Sequence, residues 1–183
     1  QVTVQGKAVE NTMNITGWTI GSKEFRTRYP IPSAVDIPNH PFLQQTKDIV
    51  IDSKSKVVVY SGKSASGLNF QMNQCIGYLK NYYTFTPALP ATCPKIPAYA
   101  IDHVNAYCQK TITTAASACK EPNMNDVLLD ADCRDYISQH IGYSKCVEDN
   151  YRYQGFFANE WRVYLGRTSE LWRNEGDTIE LRD

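Results

Sequence analysis

The chain has 183 residues, 42% of them hydrophobic and 21% charged, with 19 Lys plus Arg against 19 Asp plus Glu. These are ordinary values for one globular domain, or one domain with a large insertion, and the length suffices for a sizeable core. Zero net charge removes any bulk electrostatic reason to bind nucleic acid or an anionic membrane, and the apolar run Val57 to Tyr60 is far too short to cross a bilayer.

Val2 and Val4 alternate with polar neighbours, and Asn14 to Ile20 alternates again. A single strand there puts Thr16, Trp18 and Ile20 on one face and Ile15, Gly17 and Thr19 on the other. Trp18 is read as a core anchor, because a ring of that size dominates the packing of a small sandwich. Asn14-Ile15-Thr16 also has the spacing of an N-glycosylation acceptor. Tyr29-Pro30-Ile31-Pro32 carries prolines at alternate positions; they lack the N–H of a central strand and place the segment at an edge or in an extended stretch. Strands are expected at Ile49 to Ile51 and Val57 to Tyr60, separated by the polar turn Asp52 to Lys56. Ser61-Gly62-Lys63-Ser64 is not a phosphate loop, since that motif needs glycine where Val57 stands.

Six cysteines follow, at 75, 93, 108, 119, 133 and 146. No two form a C-x-x-C knuckle, which argues against zinc, and their even number argues for three disulfides formed in an oxidising, extracytoplasmic setting. Between Cys75 and Cys93 lie Tyr78, Tyr82, Tyr83, Phe85 and two prolines, an irregular loop that a Cys75–Cys93 bond would close. Tyr78, Tyr82, Tyr83 and Phe85 are the candidate binding surface, with packing beneath the loop as the alternative. Ile101, Val104, Cys108, Ile112, Ala115 and Cys119 recur at helical steps until Pro122. Leu129, Cys133, Tyr136, Ile137 and Ile141 make a second stripe, with Asp126 or Asp130 as cap and Gly142 as stop. Two antiparallel helices of this spacing could be clamped at both ends by Cys119–Cys133 and Cys108–Cys146. These pairings, with Cys75–Cys93, are preferred among the fifteen that six cysteines allow.

The acidic residues Asp126, Asp130, Asp132 and Asp135 suit a helix N-terminus, and no metal is assigned to them. His40, His103 and His140 form no ligand pair. No nucleophile–base pattern appears, so the expectation is a protein without catalytic residues, cofactor or metal.

The last stretch holds two alternating runs, Trp161 to Leu165 and Thr178 to Arg182, expected as antiparallel strands. Between them lies the turn-rich Leu171-Trp172-Arg173-Asn174-Glu175-Gly176-Asp177. In order, Ile15-Thr16-Gly17-Trp18-Thr19-Ile20, Tyr29-Pro30-Ile31-Pro32, Val57 to Tyr60 with Ser61-Gly62, and Leu171 to Leu181 resemble the lamin-tail domain in its bacterial surface-protein version. The resemblance implies a mainly β fold, an immunoglobulin-like β-sandwich from residues 1–64 and 159–183. Residues 65–158 would be an insertion: an aromatic and proline loop at 65–100, a disulfide-bonded α-helical hairpin at 101–146 and a return at 147–158. It further implies an exported, extracellular or cell-surface module for binding, adhesion or assembly. Its partner would be a protein or a cell-surface glycan, or further copies joined through a strand edge left at Leu181-Arg182-Asp183. The alternative is an accessory domain of a larger secreted hydrolase of nuclease or phosphatase type. A chain that begins at Gln1 is expected to be processed or excised from a longer product.

Overall fold

The computed structural model describes residues 1–6, 11–24, 27–173 and 176–183. They form two compact units, Gln1–Met72 with Ala158–Asp183, and Asn73–Phe157. Strands β1 (Val2–Gln5), β2 (Met13–Asn14), β3 (Thr19–Ser22), β4 (Arg28–Pro30), β5 (Ala34–Val35), β6 (Thr46–Lys47), β7 (Val50–Ile51), β8 (Lys56–Tyr60) and β9 (Phe70–Asn73) come first. Helices α1 (Ala106–Ser117), α2 (Ala131–His140) and α3 (Tyr143–Asn150) follow, and β10 (Phe157–Tyr164) and β11 (Ile179–Arg182) close the order. The protein is thus sheet-rich, with few and short helices.

The first unit is built on a mixed sheet of strand order β1-β8-β10-β9-β5-β6, an antiparallel sheet β11-β3-β4 and the pair β2-β7. Strand β8 carries three consecutive valines, Val57 to Val59, all buried. Burial without alternation is what a strand paired on both edges and covered on both faces requires. Its partners are β1, antiparallel, and β10, parallel, with Val57 opposite Val4 and Trp161. Ile15, Ile20, Ile31, Ile49, Val57, Val59, Trp161, Val163 and Trp172 share one buried cluster, and Trp18 packs against it while partly exposed. Trp18 and Trp172 therefore serve the same core. Asn174 and Glu175, in the motif beside Trp172, lie outside the described residues.

Two sequence expectations about the strands change. The run Asn14 to Ile20 is broken: Gly17 has φ +86° and sits in a turn closed by Trp18 N–H donating to the Ile15 carbonyl. Only glycine adopts that backbone without strain. Asn14 Oδ1 accepts from Thr16 N–H and Thr16 Oγ1 accepts from Ile49 N–H, so the polar residues of the turn steer β2 and β3 into different sheets. The runs at 161–165 and 178–182 do not pair with each other either. Strand β10 joins β8 in parallel, whereas β11 joins β3 in antiparallel register with Leu181 opposite Ile20. Strand β7 pairs with β2, and Asp52 and Ser55 form the expected polar turn between β7 and β8.

The second unit leaves β9 and returns in β10, neighbours in one sheet, with Gln71 Nε2 donating to the Ala158 carbonyl across them. All six cysteines are bonded, as Cys75–Cys146, Cys93–Cys119 and Cys108–Cys133. Three disulfides fit an oxidising environment. The expected pairings Cys75–Cys93, Cys119–Cys133 and Cys108–Cys146 are therefore corrected, for identifiable reasons. Helix α1 starts at Asn105 and not at Ile101, and α2 starts at Asp130; each cap accepts a hydrogen bond from the backbone N–H of the cysteine three residues on, Cys108 and Cys133. Asn105 Nδ2 also donates to Asp130 Oδ2 at 2.7 Å. The two helix starts thus lie together, which places Cys108 beside Cys133 and rules out the clamp at both ends of an antiparallel pair. Cys119 has φ +52° just past α1, and the Cys93 N–H donates to the Ser117 carbonyl nearby. Cys146 belongs to the unforeseen α3, which brings it to Cys75. Gly77, in the 3₁₀ helix Ile76–Asn81, is required by close approach: a Cβ there would stand 2.4 Å from the Pro90 carbonyl oxygen and 2.5 Å from Cys119 Sγ.

Two predictions follow from this architecture. Glu180 joins β11 to β4 through Arg28, and Arg182 also reaches it at 2.8 Å. The Arg28 hydrogen bond, aided by Arg182, holds the Glu180 carboxyl below its ordinary value. For Asp177, burial acts upward, but the Arg173 N–H, the Ser22 hydroxyl and the Thr178 N–H together hold it low. Carboxyls depressed by folding stabilise the protein above their unfolded value of about 4 and cease to as pH falls through the folded one. Melting temperature is expected to drop as pH falls from about 5 to about 2, and Glu180→Gln to flatten that drop in calorimetry. The second concerns cross-links. Chain-entropy reasoning gives about 3.5 kcal/mol for sequence separations of 25 and 26, and about 4.5 kcal/mol for the separation of 71. Cys75→Ala/Cys146→Ala is expected to cost about 1 kcal/mol more than Cys108→Ala/Cys133→Ala in denaturant titration.

Candidate ligand-binding site

A cavity of about 570 Å³ lies within the second unit. That is within the roughly 300–1,000 Å³ of small-molecule sites. Its walls come from four short pieces of chain. Pro97 precedes the 3₁₀ helix Ala98–Ala100, which presents Tyr99, and His103 lies in the loop that leads to the Asn105 cap. Helix α2 contributes Tyr136 and His140, four residues apart and so on one face, with ring centroids 4.5 Å apart. His103 stands 5.5 Å from Tyr136 on the other side, giving a row of three rings. The end of α3 supplies Asp149 and Asn150, and Tyr153 follows in the next turn.

Burial grades these groups. Tyr78 lines the cavity at 3% exposure, while Tyr99 and Tyr153 are 78% and 68% exposed. Burial pushes the Tyr78 hydroxyl up to about 12, with the Glu121 carboxylate adding to the effect. Tyr136 is likewise raised, first by burial and then by the charge of Asp149. These hydroxyls stay protonated at neutral pH and can donate. Asn150 Nδ2 donates to the Cys146 carbonyl at 2.8 Å, which fixes the amide plane and leaves Oδ1 as an acceptor. Cys146 lines the cavity too, so a residue of the Cys75–Cys146 disulfide belongs to its wall. The set can stack planar faces and exchange hydrogen bonds.

The four residues expected as a binding surface are not one surface. Tyr78 and Phe85 are buried and Tyr83 is half-buried; Tyr82 alone is open, at 59% exposure, with its hydroxyl on Glu121. Burial, then that hydrogen bond, push Tyr82 up to about 12. Tyr78 is the one member that reaches the cavity. The loop collapses inward because its rings have apolar surface to bury, as Tyr83 and Phe85 do edge-to-face at 6.1 Å. Sequence reasoning missed Tyr99, His103, Tyr136, His140, Asp149 and Tyr153. A signal did exist in the density of Tyr and His between 99 and 153, but only the three-dimensional meeting of loop, α2 and α3 gives it meaning.

The acidic cluster is occupied in local structure. Asp130 caps α2, and Asp126 accepts from the Tyr107 hydroxyl and the Leu128 N–H. Among the described residues no three His, Cys, Asp or Glu side chains are grouped to hold a metal ion. No described helix is long and apolar enough to cross a membrane. Comparison with family models, curated proteins and solved structures returned no match.

Because Asp130 starts the helix that carries Tyr136 and His140, its cap bears on the cavity. Asp130→Ala is expected to cost about 1 kcal/mol by denaturant titration and to loosen the ring row, seen as broadened Tyr136 and His140 side-chain resonances.

Proposed function

We propose that this protein is a non-catalytic, extracytoplasmic module for ligand binding or adhesion, with the cavity of the second unit as its binding site. The observation that carries the reading is the cavity itself: aromatic and hydrogen-bonding groups converge on it, and the disulfide-bonded Cys146 forms part of its wall. Two tyrosines beside it, Tyr99 and Tyr153, leave most of their surface in water. An oxidising compartment is supported by the three disulfides. We further propose that the first unit is an immunoglobulin-like sandwich of lamin-tail type. The support is that Ile15, Ile20, Ile31, Val57, Val59, Leu171 and Trp172, from the segments that carry the resemblance, belong to one cluster.

The test is a screen of the oxidised chain against a glycan array and a displayed peptide library, with Tyr136→Ala in parallel. The reading expects a ligand that is retained unchanged and is lost in the variant. It fails if neither library yields a ligand dependent on Tyr136, or if the bound compound is chemically converted.

A further inference from the structure

Resting on that reading, we infer that the cavity takes a neutral oligosaccharide, its pyranose faces on Tyr99 and Tyr153 and its hydroxyls on Asp149, Asn150 and Lys95. The choice follows from what the lining offers and lacks. Aliphatic side chains are confined to Ile96 and Ala100 beside the prolines, too little for an acyl chain or other wholly apolar ligand. Among the lysine, arginine and carboxylate side chains of the lining, one Lys95 stands against one Asp149, so no field favours a polyanion or a polycation.

Hydrogen-bonding capacity narrows the class further. A carboxylate only accepts, and Asn150, with one amide N–H on the Cys146 carbonyl, offers its carbonyl oxygen and a single remaining N–H. The Asp149 carboxylate accepts no hydrogen bond from the described residues, and Lys95 has no ion-pair partner among them. The ligand must therefore bring several donors and at least one acceptor. A quaternary ammonium group brings no donor and would face Lys95. A proline-rich peptide would stack well on tyrosines, but proline has no N–H to give Asp149 and Asn150. A sugar ring matches both halves of the site. Its C–H face is apolar and flat enough to lie on an aromatic ring, and each hydroxyl on its rim both donates and accepts.

The geometry is also held in advance. Cys133 bonds to Cys108 three residues before Tyr136, and Cys146 bonds to Cys75 three residues before Asp149. Tyr136 in the wall and the hydrogen-bonding Asp149 thus stand one helical turn from a covalent anchor, which reduces the ordering that binding requires.

The decisive experiment titrates the oxidised full chain by calorimetry. The probes are neutral di- to tetrasaccharides of gluco, galacto, manno and N-acetylhexosamine type, with a sialylated trisaccharide and a proline-rich peptide as comparators. At least one neutral oligosaccharide is expected to bind. Tyr99→Ala, Tyr153→Ala and Asp149→Ala are each expected to weaken it about tenfold or more. Phe42→Ala, 88% exposed in the first unit, should leave it unchanged. All three test residues are exposed, and unchanged near-ultraviolet dichroism checks their folding. Binding of the peptide alone, or sugar binding indifferent to these substitutions, overturns the saccharide assignment while a Tyr136-dependent peptide leaves the binding-module reading standing. Absence of binding by every probe and every library member defeats both.

Discussion

The N-termini of α1 and α2 are fastened to each other twice, by Asn105 Nδ2 donating to Asp130 Oδ2 and by the Cys108–Cys133 bond one turn further in. Each cap serves its own helix with one oxygen, accepting from the cysteine N–H. Asn105 uses its amide nitrogen, and Asp130 its other carboxylate oxygen, to bind the partner. Backbone satisfaction, helix start and cross-link are therefore one arrangement. Tyr136 and His140 inherit their direction from it, and His103, two residues before Asn105, is placed by it from the other side. The row of three rings exists because two helices begin at the same place.

Why the second unit uses covalent links follows from its sequence. Its helices have 12, 10 and 8 residues, lengths at which isolated helices are marginal in water. Each buries two or three side chains: Cys108, Ile112 and Ala116 in α1, Cys133 and Ile137 in α2, Tyr143 and Val147 in α3. That is little apolar area to set against the entropy of ordering so much irregular chain. Cross-links lower the entropy of the unfolded chain instead. They also act as packing units, since Cys75, Cys108, Cys119 and Cys133 are fully buried and Cys119 Sγ fills the space above Gly77.

How far the sequence could be read depended on which physical rule governed each stretch. Local rules were legible. Asp130 as cap, Gly142 as stop, the Asp52 turn and the buried run Val57 to Val59 all follow from groups within a few residues of one another. Pairing was not. Val2 and Val4, and Ile179 and Leu181, have the period of strands, but period two is silent about which strand lies alongside or in which direction. The parallel β8–β10 pair joins segments about a hundred residues apart, with nothing local to announce it. Helix α3 was invisible for another reason. Tyr-Ser-Lys-Cys-Val-Glu-Asp-Asn is only about two turns long, too short for its period to be told from loop, and without it Cys146 had no reason to meet Cys75. The cavity failed the same test, because its residues come from pieces that are each unremarkable alone.

The position of the tyrosines argues the last step. In the Cys75–Cys93 stretch the rings mostly turn inward, where Tyr78, Phe85 and Leu89 are buried and help a small unit hold together. Tyr99 and Tyr153 do the reverse, and nothing in the folding of the unit requires a large ring at either place. Tyrosine offers wide contact area at the entropic cost of only two side-chain torsions, which makes it suited to recognition from a rigid frame. The same residue type thus divides by location: inward rings stabilise the cross-linked unit, and the outward rings line the cavity together with Asp149 and Asn150. On the reading proposed above, recognition there would depend on shape and hydrogen bonding more than on charge, as suits a chain whose 19 basic and 19 acidic side chains cancel.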